Sequence, residues 1–233
     1  MVSINNKWYQ FKSIGYLVRS MVRKTNKTLG EPNLFIVILI CFFVLYLFYT
    51  YYYDATVYFT DVTYEKTYKV RDTPYKEISV RKLATIDSKL NALVNALKET
   101  GDPKVKTLIN RWDSGVTIKE IGVMESDAAY VINKRNMSFC LHNDPDPTKN
   151  SKETLEDDNL LGYAAIHELA HIMSESIDHG AEFKKNFKFL LNFSKGISYY
   201  DHYHKRKLPI YIELSKFNNK SSYCSVNIEN TME

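Results

Sequence analysis

One short motif, His167-Glu168-Leu169-Ala170-His171, restricts the fold of this chain more than any other feature of its sequence. Residues four apart lie on the same face of an α-helix, so a helix would point His167 and His171 in the same direction. Two imidazoles on one face can bind one zinc ion, and the glutamate after the first histidine can reach a water molecule at that ion. The motif therefore predicts a helix that carries a metal site.

The third ligand of this site is predicted to be His179, which is followed by Gly180. A catalytic zinc ion has three protein ligands and one open position for water. Residues 174–178 are predicted to form a turn, and a second helix with apolar residues at helical spacing follows Gly180. This arrangement lets His179 fold back toward the first two histidines. Glu182, one helical turn further along, is the alternative third ligand.

The residues around the motif have the pattern of a buried helix. Residues 160–173 are apolar at helical spacing, and the three residues 157–159 are candidates for the N-cap. Histidines and a glutamate in a buried helix would be unfavourable without partners, and a metal ion supplies such a partner. The plainer interpretation is a helix with core histidines and a surface glutamate.

The sequence around the motif also carries a family resemblance. The segment His167–Leu191 reads HELAHIMSESIDHGAEFKKNFKFLL, after a hairpin pattern at Tyr130–Lys134 and Phe139–Leu141 and before the pair Tyr223-Cys224. In these features the chain resembles the WLM and SprT-like zinc metallopeptidases. It is most similar to the WLM-like proteins of large DNA viruses, over about residues 115–228.

The resemblance implies a zincin-like fold of the α+β class, with an active-site helix, a short β-hairpin or sheet edge, and flanking helices. It implies that the three histidines bind Zn²⁺ and that Glu168 is the catalytic base. The implied activity is that of a metalloendopeptidase, in which a zinc-activated water hydrolyses peptide bonds of a protein or peptide substrate. Two departures, Ser225 in place of a glycine and Lys184 in place of an aromatic residue, concern the substrate cleft rather than the metal site.

An uninterrupted apolar run, Leu34–Tyr53, predicts a single N-terminal transmembrane helix. Its 20 residues carry no charge. They match a hydrocarbon core of about 30 Å at about 1.5 Å per residue. A cleaved signal peptide is one alternative, but the residues at 54–56 make a poor cleavage site, and a buried core helix is another. The expectation is an uncleaved signal-anchor in a lipid bilayer.

The charges around this run predict its orientation. Residues 1–53 have a formal charge of +5, and the remainder has a charge of −1. The positive-inside rule then places residues 1–33 in the cytoplasm and the catalytic domain on the non-cytoplasmic side of a host or virion membrane. On that side Cys140 and Cys224 could form a disulfide, with two unpaired cysteines as the alternative. Since the basic excess lies outside the catalytic region, no nucleic-acid partner is expected.

The predicted organisation has four parts: residues 1–33 as a basic tail, 34–53 as a transmembrane anchor, 54–80 as a connecting segment and 81–233 as the metallopeptidase domain. Within the last part, apolar spacing predicts a helix that ends near Gly101 and a short helix at 104–112. The strand Met137–Leu141 is a candidate for pairing with an extended substrate, and an ordinary interior strand is the equal alternative. The polar loop 144–158 is expected to lie over the cleft.

Other polar side chains are candidates for supporting roles. Asp178 could orient a metal ligand, and His142 is predicted on the surface at a strand end. A hydrogen bond to the oxyanion formed in hydrolysis could come from the segment after the second helix, although a solvated basic loop is the plainer interpretation. The candidates in that segment are Tyr199, Tyr200, His202, Tyr203 and His204.

The sequence therefore predicts a membrane-anchored, zinc-dependent metalloendopeptidase. The alternative is a non-catalytic anchored ectodomain, with a structural or absent zinc ion, that binds a partner protein. A structural zinc site would be closed by a fourth protein ligand, for which His202, His204 and Asp178 are the candidates.

Overall fold

The structure is a computed structural model that describes residues 34–53, 55–122, 125, 127–143, 154–211, 222–224 and 226–227. The chain divides into two units, Met1–Tyr52 and Tyr53–Glu233. The described part of the first unit is one helix, α1 (Leu34–Tyr53), whose last residue lies at the boundary between the units. The predicted basic tail, residues 1–33, lies outside the described residues.

The prediction of a transmembrane anchor is wrong. The apolar run does form a helix, but no helix in the described part of the chain is both long enough and apolar enough to cross a bilayer. The predicted single-pass topology, with a cytoplasmic N-terminus and a catalytic domain across the membrane, depended on this anchor and is therefore also wrong.

The second unit is built on a mixed five-stranded sheet. Its order is β1-β2-β3-β5-β4, so β4 lies at an edge and β5 lies in the interior. The hairpins β1–β2 and β4–β5 are antiparallel, whereas β3 pairs in parallel with both β2 and β5. Residues 56–71, within the predicted connecting segment, supply two of the strands. The strands are β1 (Thr56–Asp61), β2 (Lys66–Arg71), β3 (Thr117–Glu120), β4 (Ala129–Ile132) and β5 (Asn136–Phe139).

Two helices follow the predicted positions before the metal motif. The helix α2 (Lys76–Thr100) buries one apolar stripe and ends at Gly101, whose φ of 63° closes the helix in the left-handed region. A 3₁₀ turn at Pro103–Val105 leads into α3 (Lys106–Asp113). The two helices and the β4–β5 hairpin therefore lie where the sequence predicted them. They were predictable because their periodicity and end signals are local.

The helix α4 (Asp158–Met173) carries the metal motif through the core. Asp157 caps it by accepting hydrogen bonds from the N–H groups of Asn159 and Leu160, and 12 of its 16 residues are buried. Its Gly162 allows a close approach, since a Cβ there would lie 2.9 Å from the carbonyl oxygen of Ile210. The next helix, α5 (Ala181–Ser194), packs its apolar face on the same core.

The described part of the second unit also contains three two-stranded sheets, and the unit belongs to the α+β class. They are β6 (His142–Asn143) with β7 (Thr154–Leu155), β8 (Ser198–Asp201) with β9 (Arg206–Pro209), and β10 (Ser222–Tyr223) with β11 (Val226–Asn227). Cys140 and Cys224 form a disulfide, which decides between the two alternatives that the sequence left open. Most of the polar loop predicted over the cleft, residues 144–153, lies outside the described residues.

Candidate metal centre

The structure brings the three predicted histidines together. His167 and His171 lie one turn apart on α4, and the turn after α4 folds His179 back toward them. The Nε2 atom of His179 lies 3.0 Å from that of His167 and 3.1 Å from that of His171. Two nitrogens bound to one tetrahedral zinc ion at about 2.0–2.1 Å lie about 3.3 Å apart, so this donor set fits the ion.

The two helical histidines are neutral at physiological pH. Burial, with smaller contributions from the charges of His171 and His179 when protonated, lowers the pKa of His167 to about 3. Burial likewise lowers the pKa of His171 to about 4, with contributions from His179 and Lys134. Zinc binds the unprotonated imidazole, so these nitrogens are in the state that a metal site requires.

One aromatic ring forms the wall behind all three imidazoles. The centroid of Phe183 lies 4.8 Å from His167, 4.3 Å from His171 and 4.6 Å from His179. Phe187 adds a second contact at 5.1 Å from His167. Both rings come from α5, where sequence reasoning placed them in the apolar face. The spacing of Phe183, four residues after His179, was the signal that could have linked it to the site.

Glu168 contributes a buried carboxyl group to the same site. Its residue is 3% exposed, and its Oε2 atom has no hydrogen-bond partner among the described residues. Burial raises the pKa of this carboxyl to about 8. A buried carboxyl without a partner is unfavourable in itself, and a strongly shifted pKa in a cleft is typical of a functional group.

A pocket of about 350 Å³ opens at the histidines and Glu168. Its opposite wall is the edge strand β4 with the turn that follows it, and Ile177 stands at its rim with 87% of its surface exposed. The strand proposed from the sequence to pair with a substrate, Met137–Leu141, corresponds to β5 and is an interior strand. The sheet edge beside the pocket belongs to β4 instead. The sequence pattern could not predict this, because strand order depends on long-range pairing.

Two acidic residues near the motif have local structural contacts. The carboxylate of Glu182 accepts hydrogen bonds from the N–H groups of Glu175 and Ser176, at 2.9 and 3.1 Å. These bonds lower its pKa, and they use the group that was the alternative third ligand. The Oδ1 atom of Asp178 accepts from the N–H of Gly180 at 3.3 Å, which shapes the turn before His179.

The later histidines lie on a different hairpin. The ring of His202 packs at 5.0 Å from that of Tyr64, and Nδ1 of His204 lies 2.7 Å from Oδ2 of Asp201. Neither histidine lines the pocket, nor does any of the three tyrosines proposed as oxyanion donors: Tyr199, Tyr200 and Tyr203. Among the described residues, the cluster of candidate ligands consists of the three predicted histidines.

The surface position predicted for His142 is wrong. The residue is 1% exposed, and its Nε2 atom lies 2.8 Å from Oγ of Ser79 and 3.1 Å from Oε1 of Glu120. The prediction failed because helix α2, whose Ser79 faces the strand end, covers His142, and that contact joins residues 63 positions apart.

Comparison with known proteins points to large DNA viruses. No family model matches the sequence, and no solved structure matches it. The chain is 28% identical over 159 residues to an uncharacterized protein of Acanthamoeba polyphaga mimivirus, covering 64% of this chain and 75% of the relative. It is 28% identical over 82 residues to an uncharacterized protein of Invertebrate iridescent virus 6, covering 35% of this chain and 44% of the relative. These similarities support the predicted relationship to viral proteins.

Proposed function

We propose that this chain is a zinc-dependent metalloendopeptidase in which His167, His171 and His179 bind the metal and Glu168 is the general base. The observation that carries the proposal is the convergence of three imidazoles beside a buried carboxyl oxygen that has no hydrogen-bond partner among the described residues. Such a cluster is unfavourable as a purely structural element, whereas a bound cation would supply the missing partner.

The proposal includes a zincin-like fold and kinship with the WLM and SprT-like metallopeptidases. Its support is the sequence His-Glu-Leu-Ala-His on α4, a third histidine on the turn after that helix, and a sheet edge across the pocket. The same order of elements is what the resemblance implies. The similarity to proteins of two large DNA viruses is compatible with the WLM-like proteins of such viruses.

The proposed substrate is a protein or peptide in an extended conformation. Strand β4 pairs with β5 on one side, and its other edge carries no strand in the described part of the chain. A peptide could add to this edge through main-chain hydrogen bonds, which tolerate many side chains. Because β4 has four residues, about four substrate residues could pair over roughly 13 Å.

The chain's own groups divide the work of hydrolysis. A bound zinc ion would supply a Lewis acid that acidifies water and polarises the scissile carbonyl. The positive charge of a bound ion would favour the ionised form of Glu168, which would accept a proton from the attacking water and return it to the leaving amine. Phe183 shields one side of the imidazoles from water and keeps them neutral, while β4 would hold the peptide in register.

The rival function, a partner-binding domain with a structural zinc ion, requires a fourth protein ligand. The candidates for that role were His202, His204 and Asp178. The first two lie on the β8–β9 hairpin, and the third accepts a hydrogen bond from Gly180. Because the described residues bring three histidines and no fourth ligand together, the cluster favours a site with an open position, as a catalytic site needs.

Proteome cleavage with mapping of new N-termini tests the proposed function. Zinc-loaded wild type and Glu168→Gln are incubated separately with a denatured proteome, and Glu99→Gln, an exposed residue of α2, is the matched control. We expect wild type and Glu99→Gln to produce the same new N-termini and Glu168→Gln to produce none. Stoichiometric zinc in all three proteins without cleavage by wild type would refute the proposal.

A further inference from the structure

The turn that carries the third histidine is held by side chains from other elements. From α3, Nη1 of Arg111 donates to the carbonyl oxygens of Ile172 at 2.6 Å and Ser174 at 2.7 Å. Its Nη2 atom pairs with the carboxylate of Glu175 at 2.6 Å. One guanidinium therefore fixes the end of α4 and the start of the turn, where free carbonyl groups and the helix dipole favour a cation.

The helix α5 holds the same turn from the opposite direction. The carboxylate of Glu182 accepts from two successive N–H groups, those of Glu175 and Ser176. Nδ2 of Asn186 donates to Oγ of Ser174 at 3.0 Å, and that hydroxyl donates to the carbonyl of Ala170 at 2.8 Å. The backbone between the second and third histidines is thus restrained at both its donors and its acceptors.

Lys134 makes the third set of contacts, from the hairpin between β4 and β5. Its Nζ atom donates to the carbonyl oxygen of His171 at 2.7 Å and to that of Ser176 at 2.5 Å. One ammonium therefore joins a ligand-bearing residue of α4 to the turn that precedes His179. Lys134 also lines the pocket, unlike Arg111 and Glu182.

The backbone of the hairpin sets the direction of this lysine. Asn133 and Lys134 have φ values of 53° and 55°, and the N–H of Arg135 donates to the carbonyl of Ile132 at 3.1 Å. Two successive residues in the left-handed region are typical of a type I′ turn, which a lysine adopts at a cost in free energy. The contacts of the ammonium with α4 and the ligand turn offset that cost.

We propose that Lys134 is a positioning residue of the metal centre, which sets the place of His179 relative to His171 and ties both to the wall formed by β4. The proposal rests on the proposed function for its metal and its substrate cleft. Lys134 itself is not assigned a contact with the ion or the substrate. Its effect acts through the carbonyl groups of His171 and Ser176, so it is measurable as metal affinity before any hydrolysis is observed.

Zinc competition with a chromophoric chelator tests this role, together with the visible absorption of the cobalt-substituted protein. Lys134→Met removes the ammonium and keeps the length of the aliphatic stem. Lys134→Arg keeps the charge, and Lys188→Met on the exposed face of α5 is the matched control. We expect Lys134→Met to lose about 10–100-fold in zinc affinity, as for other supporting contacts of metal ligands, and to shift the cobalt spectrum. Lys134→Arg is expected to recover part of both, and Lys188→Met to match wild type.

The outcomes separate this inference from the proposed function. Zinc affinity and a cobalt spectrum that stay within about twofold of wild type in folded Lys134→Met overturn the positioning role, whatever the proteolytic activity. If Lys134→Met loses the circular dichroism of the folded protein, Lys134→Gln replaces it in the same comparison. If wild type binds zinc but cleaves nothing, the proposed endopeptidase activity is refuted, and the positioning role of Lys134 is still decided by zinc affinity. If wild type binds no zinc, both proposals are overturned.

Discussion

Among the described residues, two clusters combine histidine with a buried glutamate, and they differ in what balances their charge. In the inner cluster, Glu120 accepts from the N–H of Arg71 at 2.8 Å and lies 3.1 Å from Nε2 of His142, with each of these residues no more than 6% exposed. In the candidate metal centre, burial alone raises the pKa of the Glu168 carboxyl, and three imidazoles face one another beside a pocket.

The difference shows which feature marks a functional site. Burial of histidine and glutamate is common to both clusters, so it does not identify a metal centre by itself. The inner cluster contains its own cation, Arg71, and is closed to solvent. In the candidate metal centre, no cation pairs with Glu168 among the described residues and the site opens to a pocket, so a bound cation would supply the balancing charge.

The strongest way to sharpen this contrast is Glu168→Gln. We expect a fall in peptide hydrolysis of about 10²–10⁴-fold or more, because the amide cannot accept a proton from water. Zinc content should stay near wild type and the melting temperature within a few degrees, since the amide is nearly isosteric. Elemental analysis and thermal melting accompany the rate measurement. Loss of zinc in this variant would make Glu168 a ligand, and full activity would remove it from the role of base.

The second expected effect is on metal content. Wild type should bind one zinc ion per chain, and His171→Ala should lose stoichiometric zinc, because two imidazoles and a turn do not make a catalytic zinc site. His202→Ala, an exposed histidine outside the pocket, is the control and should keep its zinc. Elemental analysis of the purified proteins decides the matter. Equal zinc in His171→Ala and wild type would break the contrast between the two clusters.

A substitution in the inner cluster should lower the stability of the fold rather than the activity or the metal content. Glu120→Ala leaves Arg71 and His142 without their carboxylate, and breaking a buried ion pair in this way costs about 3–5 kcal/mol. For a chain of this size we expect a fall in melting temperature of roughly 10 °C. Calorimetry of zinc-loaded protein measures it, with Glu99→Gln as the neutral reference. A melting temperature unchanged by Glu120→Ala would mean that this cluster, too, is not needed for the fold.

The smallest expected effect is the pH dependence of metal-free protein. The pKa values of His167 and His171 are depressed to about 3 and about 4, so stability from these groups is lost as pH falls below about 6.5. The pKa of Glu168 is raised to about 8, so its contribution is lost as pH rises from about 4.5 through 8. The free energy of unfolding, measured with denaturant across pH, should therefore reach a maximum near pH 6.5. Its decline above pH 6.5 should disappear in Glu168→Gln. A decline that persists in the variant would assign it to other groups.

The sequence predicts those parts of the molecule whose determinants are local. The spacing of His167 and His171, the cap at Asp157 and the stop at Gly101 each depend on neighbours within one or two helical turns, and the structure has them where they were expected. The sheet edge is β4 rather than β5 because β5 pairs in parallel with β3, a strand distant in sequence. The hydrophobic pattern of a strand does not reveal such a pairing partner.

Long-range contacts explain the remaining differences. His142 is buried because it meets Ser79, and Lys134 reaches α4 because a turn with two left-handed residues directs it there. The apolar run at 34–53 was interpreted from its length and its lack of charge, and the helix it forms does not meet the requirements of a membrane span. The convergence of the three histidines was predictable because they lie in one continuous stretch of 13 residues.

The disulfide between Cys140 and Cys224 has a consequence for covalent topology. The two cysteines are 84 residues apart, and the ring that they close contains both ligand-bearing segments, α4 and the turn before α5. A single backbone cut anywhere between them opens the ring but does not divide the molecule, because the two pieces remain joined through sulfur. Self-cleavage inside this ring would therefore pass unnoticed on a non-reducing gel and would become visible as two fragments only after reduction.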